Sequence, residues 1–356
     1  MKLKFWTCDL RLAHRWSIAS LPGDGSQVQT VVLVELTDAD GVTGLGEASP
    51  SRTYAETPAG VSAFCGRVDV RRLSFDDVAG SQAYLDHLAP GEMAAKCAFN
   101  LALLDGAARR AGKPLYDFLG LGFQEARHFT SFSIGIDTPE VIRAKVLAAA
   151  PYPILKLKVG DAQETANLTA LRAAAPAKPV RVDANEGWAT REQALERLEW
   201  LAGDGHIQFV EQPMPRDTPV RDLMWLKERS PLPLLADESY RTVRDLARCA
   251  ECFHGVNVKL VKTGGVSGAF DALHGARRAG LKTMLGCMIE SSVLITAAAH
   301  LAELTDYLDL DGNLLITNDP YQGVTAGNGV LSFAGAVERV GLRVSRRLDE
   351  LPARVV

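Results

Sequence analysis

The chain has 356 residues, 47% apolar and 23% charged, with a formal net charge of −4. That length suits either about two or three domains or one barrel of about 250 residues with a smaller partner. Positive charge is nowhere clustered, which excludes a general nucleic-acid surface, and no apolar run reaches the roughly 18 residues of a membrane span.

The opening stretch, MKLKFWTCDLRLAHRW, holds no apolar segment of signal-peptide length. TVVLVEL (30–36), the turn TDADG and VTGLGEA (42–48) then give a hairpin signal, β-branched runs around an Asp-Gly turn. After a loop-rich stretch, SFDDVAGSQAYLDHL and GEMAAKCAFNLALLDGAARRAG carry helical periodicity. Residues 1–115 therefore read as an α+β unit.

From about residue 128 the pattern becomes cyclic. Strand-like segments recur as FTSFSIG, PILKLKVG, PVRVDAN, IQFVEQP, PLLADES, GVNVKLV, LKTMLGC and DYLDLDG, separated by helical stretches such as TREQALERLEWLAG. Strand alternating with helix implies parallel β-α units, and eight in one run predict a closed barrel over 116–324. No strand is followed by a G-x-G-x-x-G turn, which counts against an open dinucleotide-binding sheet. The tail, 325–356, is expected to pack back on the amino-terminal unit. Six cysteines, at 8, 65, 97, 249, 252 and 287, are spaced as in a reduced cytoplasmic protein. Cys249 and Cys252 form a lone CxxC in a helical stretch, without the second pair that a zinc site needs.

Charge falls at the strand ends. From Lys158 to Asp183, Glu211, Asp237 and Lys259 the successive spacings are 25, 28, 26 and 22 residues, one β-α unit each. In such barrels the active site is built at that end. Asp183, Glu211 and Asp237 come from three successive strands and should converge, and a hard divalent cation relieves their repulsion. Mg²⁺ is the expected ion, with Mn²⁺ as a substitute. In ILKLKVG, Lys156 and Lys158 share one face of a strand while Leu155, Leu157 and Val159 take the other. Lys158 and Lys259 flank the trio, and a buried lysine near another cation has its pKa pushed down, which supplies a base. Lys156 is expected to depress its neighbour in this way. Two bases on opposite faces of a carbon suit inversion α to a carboxylate, with the metal stabilising an enediolate. Asn185 and Glu238 are expected to support the metal ligands from behind.

In order, KLKVG, VDANEGW, VEQP, ADES, NVKLVKTGG and GCMIESS resemble the enolase superfamily, in its muconate-lactonizing subgroup. The resemblance implies an α/β fold, a modified TIM barrel, (β/α)₇β, with an N-terminal α+β capping domain. It carries Asp183, Glu211 and Asp237 over as metal ligands, Lys158 and Lys259 as the acid/base pair, and Lys156 as a contact to the substrate carboxylate. Lys262 is read as a bystander. The subgroup includes muconate cycloisomerases, o-succinylbenzoate synthases, N-acylamino acid racemases and dipeptide epimerases.

Asp309-Leu310-Asp311 discriminates among them, because dipeptide epimerases carry an Asp-x-Asp that binds the α-ammonium of the dipeptide's first residue. Two acids facing a cation make charge-assisted hydrogen bonds. A dipeptide epimerase is therefore expected, ahead of the other subgroup activities or a non-catalytic binding barrel. Enzymes specific for Ala-Glu resemble one another in an arginine on the first long capping loop. The corresponding SIASLPGDGSQVQT (17–30) has none and holds Asp24. The expected second residue is therefore neutral or cationic, with Asp24 and Glu56 as contacts. The expected partners are a small dipeptide and further copies of the chain in a homo-oligomer, with no nucleic acid and no membrane, in the cytoplasm.

Overall fold

The computed structural model describes residues 1–19 and 21–347, with the backbone alone given for 21–24. Its amino-terminal hairpin is longer than the sequence suggests. β1 (Lys2–Ile18) and β2 (Leu21–Thr37) pair antiparallel from Lys2↔Thr37 to Arg11↔Val28, slip register, and pair again at Trp16↔Ser26. Segment 17–30, expected as a loop, is the distal part of this hairpin. Ser26, Gln27 and Val28 are exposed there, so burial imposes no apolar alternation from which a strand could be read.

β3 (Thr43–Ala48) follows the expected Asp-Gly turn, in which Asp38 Oδ1 accepts from Asp40 N and Val42 N and Gly41 takes φ 83°. Helices α1 (Pro58–Arg67), α2 (Val78–Leu88) and α3 (Met93–Arg110) cover this sheet. α3 lies directly on β3 because two glycines leave room: a Cβ at Gly44 or Gly46 would come within 1.9 Å of the Ala102 or Ala98 carbonyl oxygen. The buried Asp105 of α3 then ties three segments, accepting from Leu45 N on β3, Leu342 N near the chain's end and Arg109 Nε.

A short turn of helix, α4 (Leu115–Phe118), leads into eight parallel strands: β4 (Phe132–Ile134), β5 (Leu155–Lys158), β6 (Val180–Asp183), β7 (Ile207–Glu211), β8 (Leu234–Ala236), β9 (Gly255–Lys259), β10 (Lys282–Gly286) and β11 (Tyr307–Asp309). Each strand pairs with its neighbour in sequence, and a parallel bridge from Thr130 to Leu308 joins the last to the first. The crossovers are α5 (Pro139–Ala148), α6 (Glu164–Ala174), α7 (Arg191–Ala202), α8 (Val220–Arg229), α9 (Leu246–Cys252), the pair α10 (Leu260–Thr263) and α11 (Val266–Arg278), and α12 (Ser292–Ala299). This is a modified TIM barrel, (β/α)₇β, under an amino-terminal cap.

Strand parity separates two environments. Leu155, Leu157, Val180, Val182, Val210, Leu234, Val256, Val258 and Leu285 face the helices and belong to the main core. Inside the barrel, Phe209, Leu235 and Met284 with Tyr307 form a small apolar floor. The alternate positions above that floor carry charge. Cys249 and Cys252 are buried thiols on α9 in the main core, beside the Ser239 and Val220 carbonyls. Among the described residues no helix is long and apolar enough to cross a membrane.

The α3–β3 contact is a packing constraint with no slack. Gly46→Ala should destabilise the protein by about 3 kcal/mol or more, the upper end for overpacking, while Gly66→Ala, where a new Cβ meets nothing within 4 Å, should be neutral. Urea unfolding of the two variants checks this.

Candidate active site at the barrel mouth

Strand register builds the site. Lys158 pairs with Asp183 and Asp183 with Glu211, so three charged side chains stand in one row on β5, β6 and β7. Asp237 follows β8 by one residue, and Lys259 closes β9. Asp183, Glu211 and Asp237 are fully buried and each offers an oxygen within 4.8 Å of the others. Among the described residues this is the one such group of acid, histidine or cysteine side chains.

Lysines surround the acids. Lys158 Nζ donates to Asp183 Oδ2 at 2.6 Å and Lys259 Nζ to Asp237 Oδ2 at 2.8 Å. Lys156 sits deeper, 1% exposed, with Nζ 2.7 Å from Asp309 Oδ2, 3.0 Å from Asp183 Oδ2 and 2.6 Å from Glu211 Oε2. Lys262, read from sequence as a bystander, is part of the cluster. Its Nζ donates to Asp237 Oδ1 at 2.7 Å, Asp237 O at 2.8 Å and Asn257 O at 2.8 Å, which uses all three of its N–H groups. The one-turn helix α10, directly after β9, turns Lys262 back beneath Lys259, which spacing along a strand could not reveal.

The charges shift one another. Burial works against the Asp237 carboxylate, yet Lys259 and Lys262 hold it well below the ordinary range. Lys156 and Lys158 likewise outweigh burial at Asp183. Glu211 is pushed up to about 7 by burial and by Asp183, against the pull of Lys156. Burial acts to lower Lys156 and Lys259, but the surrounding carboxylates win and hold both well above the usual lysine range. Lys156 lies within ion-pair distance of three carboxylates and Lys259 of Asp237.

Of the three carboxylates, Glu211 is the one held above its ordinary range. Its Oε1 accepts from Asn257 Nδ2 at 2.6 Å, whereas Oε2 lies close to Lys156 without a hydrogen bond. Three buried carboxylates with one oxygen unsatisfied fit a hard divalent cation. Asn185 and Glu238 pair behind them, Nδ2 to Oε1 at 3.3 Å, and burial with Asp237 and Asp183 pushes Glu238 up to about 8. Gln212, at φ 38°, accepts from Asp237 N and Ser239 N through one oxygen and so fixes the β8 end.

Above the cluster lies a cavity of ≈ 810 Å³ whose wall includes Lys158, Lys259, Asn185 and Glu238 from the barrel. The cap supplies Trp16, Ile18, Gln29, Arg52, Tyr54 and Glu56, and the β10 loop supplies Cys287, Met288 and Ile289. Asp309 and Asp311 lie behind that wall. Asp309 Oδ1 accepts from Ser131 Oγ at 2.7 Å, and Asp311 Oδ2 from Ser133 N at 2.6 Å. Cys287 Sγ is 3.9 Å from Asp311 Oδ1. Burial raises Asp309, but Lys156 and Lys158 bring it to about 2, while burial and Asp309 push Asp311 up to about 7. Glu56 is not a free carboxylate: Oε1 accepts from Ala94 N at 3.1 Å and caps α3. Asp24 lies outside the described residues.

Sequence reasoning missed several further groups. Arg181 shares the inward face of Asp183 on β6 and spans the barrel interior to Leu308 O at 2.5 Å, between the Phe209 and Tyr307 rings. Parity alone could have found it. Glu47, on β3, accepts from Ser291 N at 2.9 Å, and Ser291 caps α12, so the cap grips the loop that carries Met288 and Ile289. No local pattern announces that long-range contact.

Residues 19–120 match the N-terminal domain of the mandelate racemase / muconate lactonizing enzyme family, and 141–318 the enolase C-terminal domain-like family. The chain is 64% identical to the L-Ala-D/L-amino acid epimerase of Pedosphaera parvula over 344 residues, 97% of this chain and 99% of that protein. It is 38% identical to the L-Ala-D/L-Glu epimerase of Bacteroides thetaiotaomicron, covering 94% and 85%. A crystal structure of a dipeptide epimerase from Cytophaga hutchinsonii, complexed with Mg and D-Ala-L-Val, superposes with a TM-score of 0.88 at 28% identity, covering 98% and 96%.

A cation held by the acid trio should stabilise the fold. Mg²⁺ or Mn²⁺ added to chelator-treated protein at a hundred times its Kd should add about 2.7 kcal/mol to unfolding. Glu211→Gln should remove most of that increment, as read by calorimetric titration and by denaturation with and without the ion.

Proposed function

Since the chain belongs to the mandelate racemase / muconate lactonizing enzyme family of the enolase superfamily, we propose that it is a Mg²⁺-dependent dipeptide epimerase inverting the Cα of the second residue. The observation that carries this is the placing of Lys158 and Lys259 at the two ends of one acid trio, each paired with an outer carboxylate and each open to the same cavity. The kinship with named dipeptide epimerases supports it.

Asp183, Glu211 and Asp237 would hold the ion, which supplies positive charge for the substrate carboxylate and for the negative charge that develops as the Cα proton leaves. One of Lys158 and Lys259, which would be released as the free amine once its partner carboxylate is committed to the ion, takes that proton from one face. The other, as the ammonium, gives its own to the opposite face, and the product has the inverted centre with no net change in protons. Lys156 stays cationic among Asp183, Glu211 and Asp309, and so keeps the layer below the reaction neutral. Asp309 and Asp311 supply negative potential for the dipeptide's ammonium, with Cys287 between Asp311 and the cavity.

The cavity revises the expected specificity. Glu56 spends its carboxylate on α3, so it offers little to a cationic side chain. The same wall carries Arg52, with no acid partner among the described residues, beside Trp16, Ile18, Val28 and Ile289. We assign the second residue as neutral and disfavour a cationic one, because an uncompensated guanidinium repels it.

Mass spectrometry in D₂O tests the chemistry. The wild type should take up solvent deuterium at Cα from both epimers. Lys158→Ala and Lys259→Ala should each stop uptake from a different epimer and slow epimerisation by roughly 10²–10⁴-fold. Complete retention of both exchanges in either variant would refute the two-base scheme.

A panel of Ala-Leu, Ala-Gln and Ala-Lys tests the side-chain assignment. Ala-Lys should be the poorest substrate by kcat/KM, and Arg52→Gln should narrow its deficit. Best turnover on Ala-Lys would overturn the assignment.

A further inference from the structure

We propose that Trp16 is a positioning residue for Lys158, so that docking of the β1–β2 hairpin governs one face of the proton transfer and leaves the Lys259 face alone. This rests on the two-lysine reading. Lys158 Nζ lies 5.9 Å from the centre of the Trp16 ring, on the cap side of its bond to Asp183. Asp183 is its hydrogen-bond partner among the described residues, so the acid and the indole together limit where the amine can point. Among the described residues Lys259 has no ring face over it: Met288 Sδ lies at 4.0 Å on the loop side, and the Tyr54 phenol of the cap acts on it electrostatically. The two bases therefore meet different parts of the cap, Lys158 the indole of the hairpin and Lys259 the phenol of the turn after β3.

The barrel is shaped to receive the hairpin. Gly135, just past β4, leaves space for the indole: a Cβ there would come within 3.2 Å of Trp16 Cε3. The next residue, Ile136, donates its N–H to Ser17 O at 3.3 Å. Gly160, two residues beyond Lys158, adopts φ 99°, and a Cβ on it would lie 3.0 Å from Ala19 Cβ and 2.6 Å from Ala184 O. Trp16, Ser17 and Ala19 thus rest on bare backbone where β4 and β5 end. A Cβ at Gly135 would press on the ring that faces Lys158 and displace it by a few tenths of an ångström.

An aromatic face near an ammonium acts through the ring quadrupole and by excluding water from one side. Losing it frees the lysine to point away from Cα without touching the carboxylate trio or Lys259. The effect belongs in kcat for the Lys158-dependent direction, whereas any change in KM from the altered cavity wall would be shared by both directions.

The test compares epimer-specific deuterium uptake, the Lys158 face being defined as the one that Lys158→Ala abolishes. At saturating substrate, Trp16→Leu should slow uptake on that face by roughly 3- to 10-fold relative to the other face. Trp16→Phe should restore most of the loss, and Gly135→Ala should reproduce the selective defect with the indole intact. Equal losses on both faces would mean that the hairpin only covers the cavity, and no loss would mean that the ring is idle. Either result overturns the proposal. A wild type that exchanges neither epimer of any dipeptide would instead overturn the epimerase reading beneath it.

Discussion

Everything in this molecule is arranged around keeping Asp183, Glu211 and Asp237 buried within reach of one another. Carboxylates at that spacing in a low-dielectric layer repel strongly, and burial of each is costly without a partner. The chain answers with Lys156, Lys158, Lys259 and Lys262, so that the acids are held by cations from both sides and from below. Buried ion pairs of this kind add little net stability, since desolvation cancels much of their attraction. What they secure is geometry. The stability comes from the outward-facing Leu and Val residues of the same strands, which pack against the crossover helices.

Because side chains alternate along a strand, that division is written into the sequence, and it is why the barrel and most of the site were legible there. In LKLK the period of two places Lys156 and Lys158 inside and Leu155 and Leu157 outside, and VRVD, FVE and NVK repeat the rule. Three kinds of residue escaped. Lys262 acts from a helical turn after the strand, where the period is no longer two. Glu47 and Glu56 meet partners 244 and 38 residues away, and a lone glutamate carries no sign of its distant contact. The distal hairpin escaped because it is paired on its edges but exposed on its faces, and pattern reading follows burial rather than hydrogen bonding.

Local strain gathers at the same place. Asn185 at φ 43°, Glu186 at 66° and Gln212 at 38° are non-glycine residues in the left-handed region, immediately after β6 and β7. Such residues cost about 1–3 kcal/mol each and persist only where surroundings fix them. Here the fixing groups are visible. Gln212 spends its side chain on the backbone of Asp237 and Ser239, and Glu186 makes a bidentate pair with Arg216. The bent segments let a β-strand end in a carboxylate of the trio and leave at once toward the cap.

The cap is then more than a cover. Glu47 holds Ser291, Ser49 donates to the Ile289 carbonyl, and Arg216 reaches back to the Thr53 carbonyl, so cap and barrel loops fix one another around the cavity. The clustered charge stands at strand ends, where register cannot drift by one residue without turning Lys156, Lys158 and Lys259 outward. The cavity's outer wall comes from the hairpin and from the turn after β3, where sequence can vary without disturbing that register. Arg52 and Trp16 show the two consequences. Arg52 lines the cavity from an exposed turn, whereas Trp16 faces a strand-end lysine from the paired part of the hairpin.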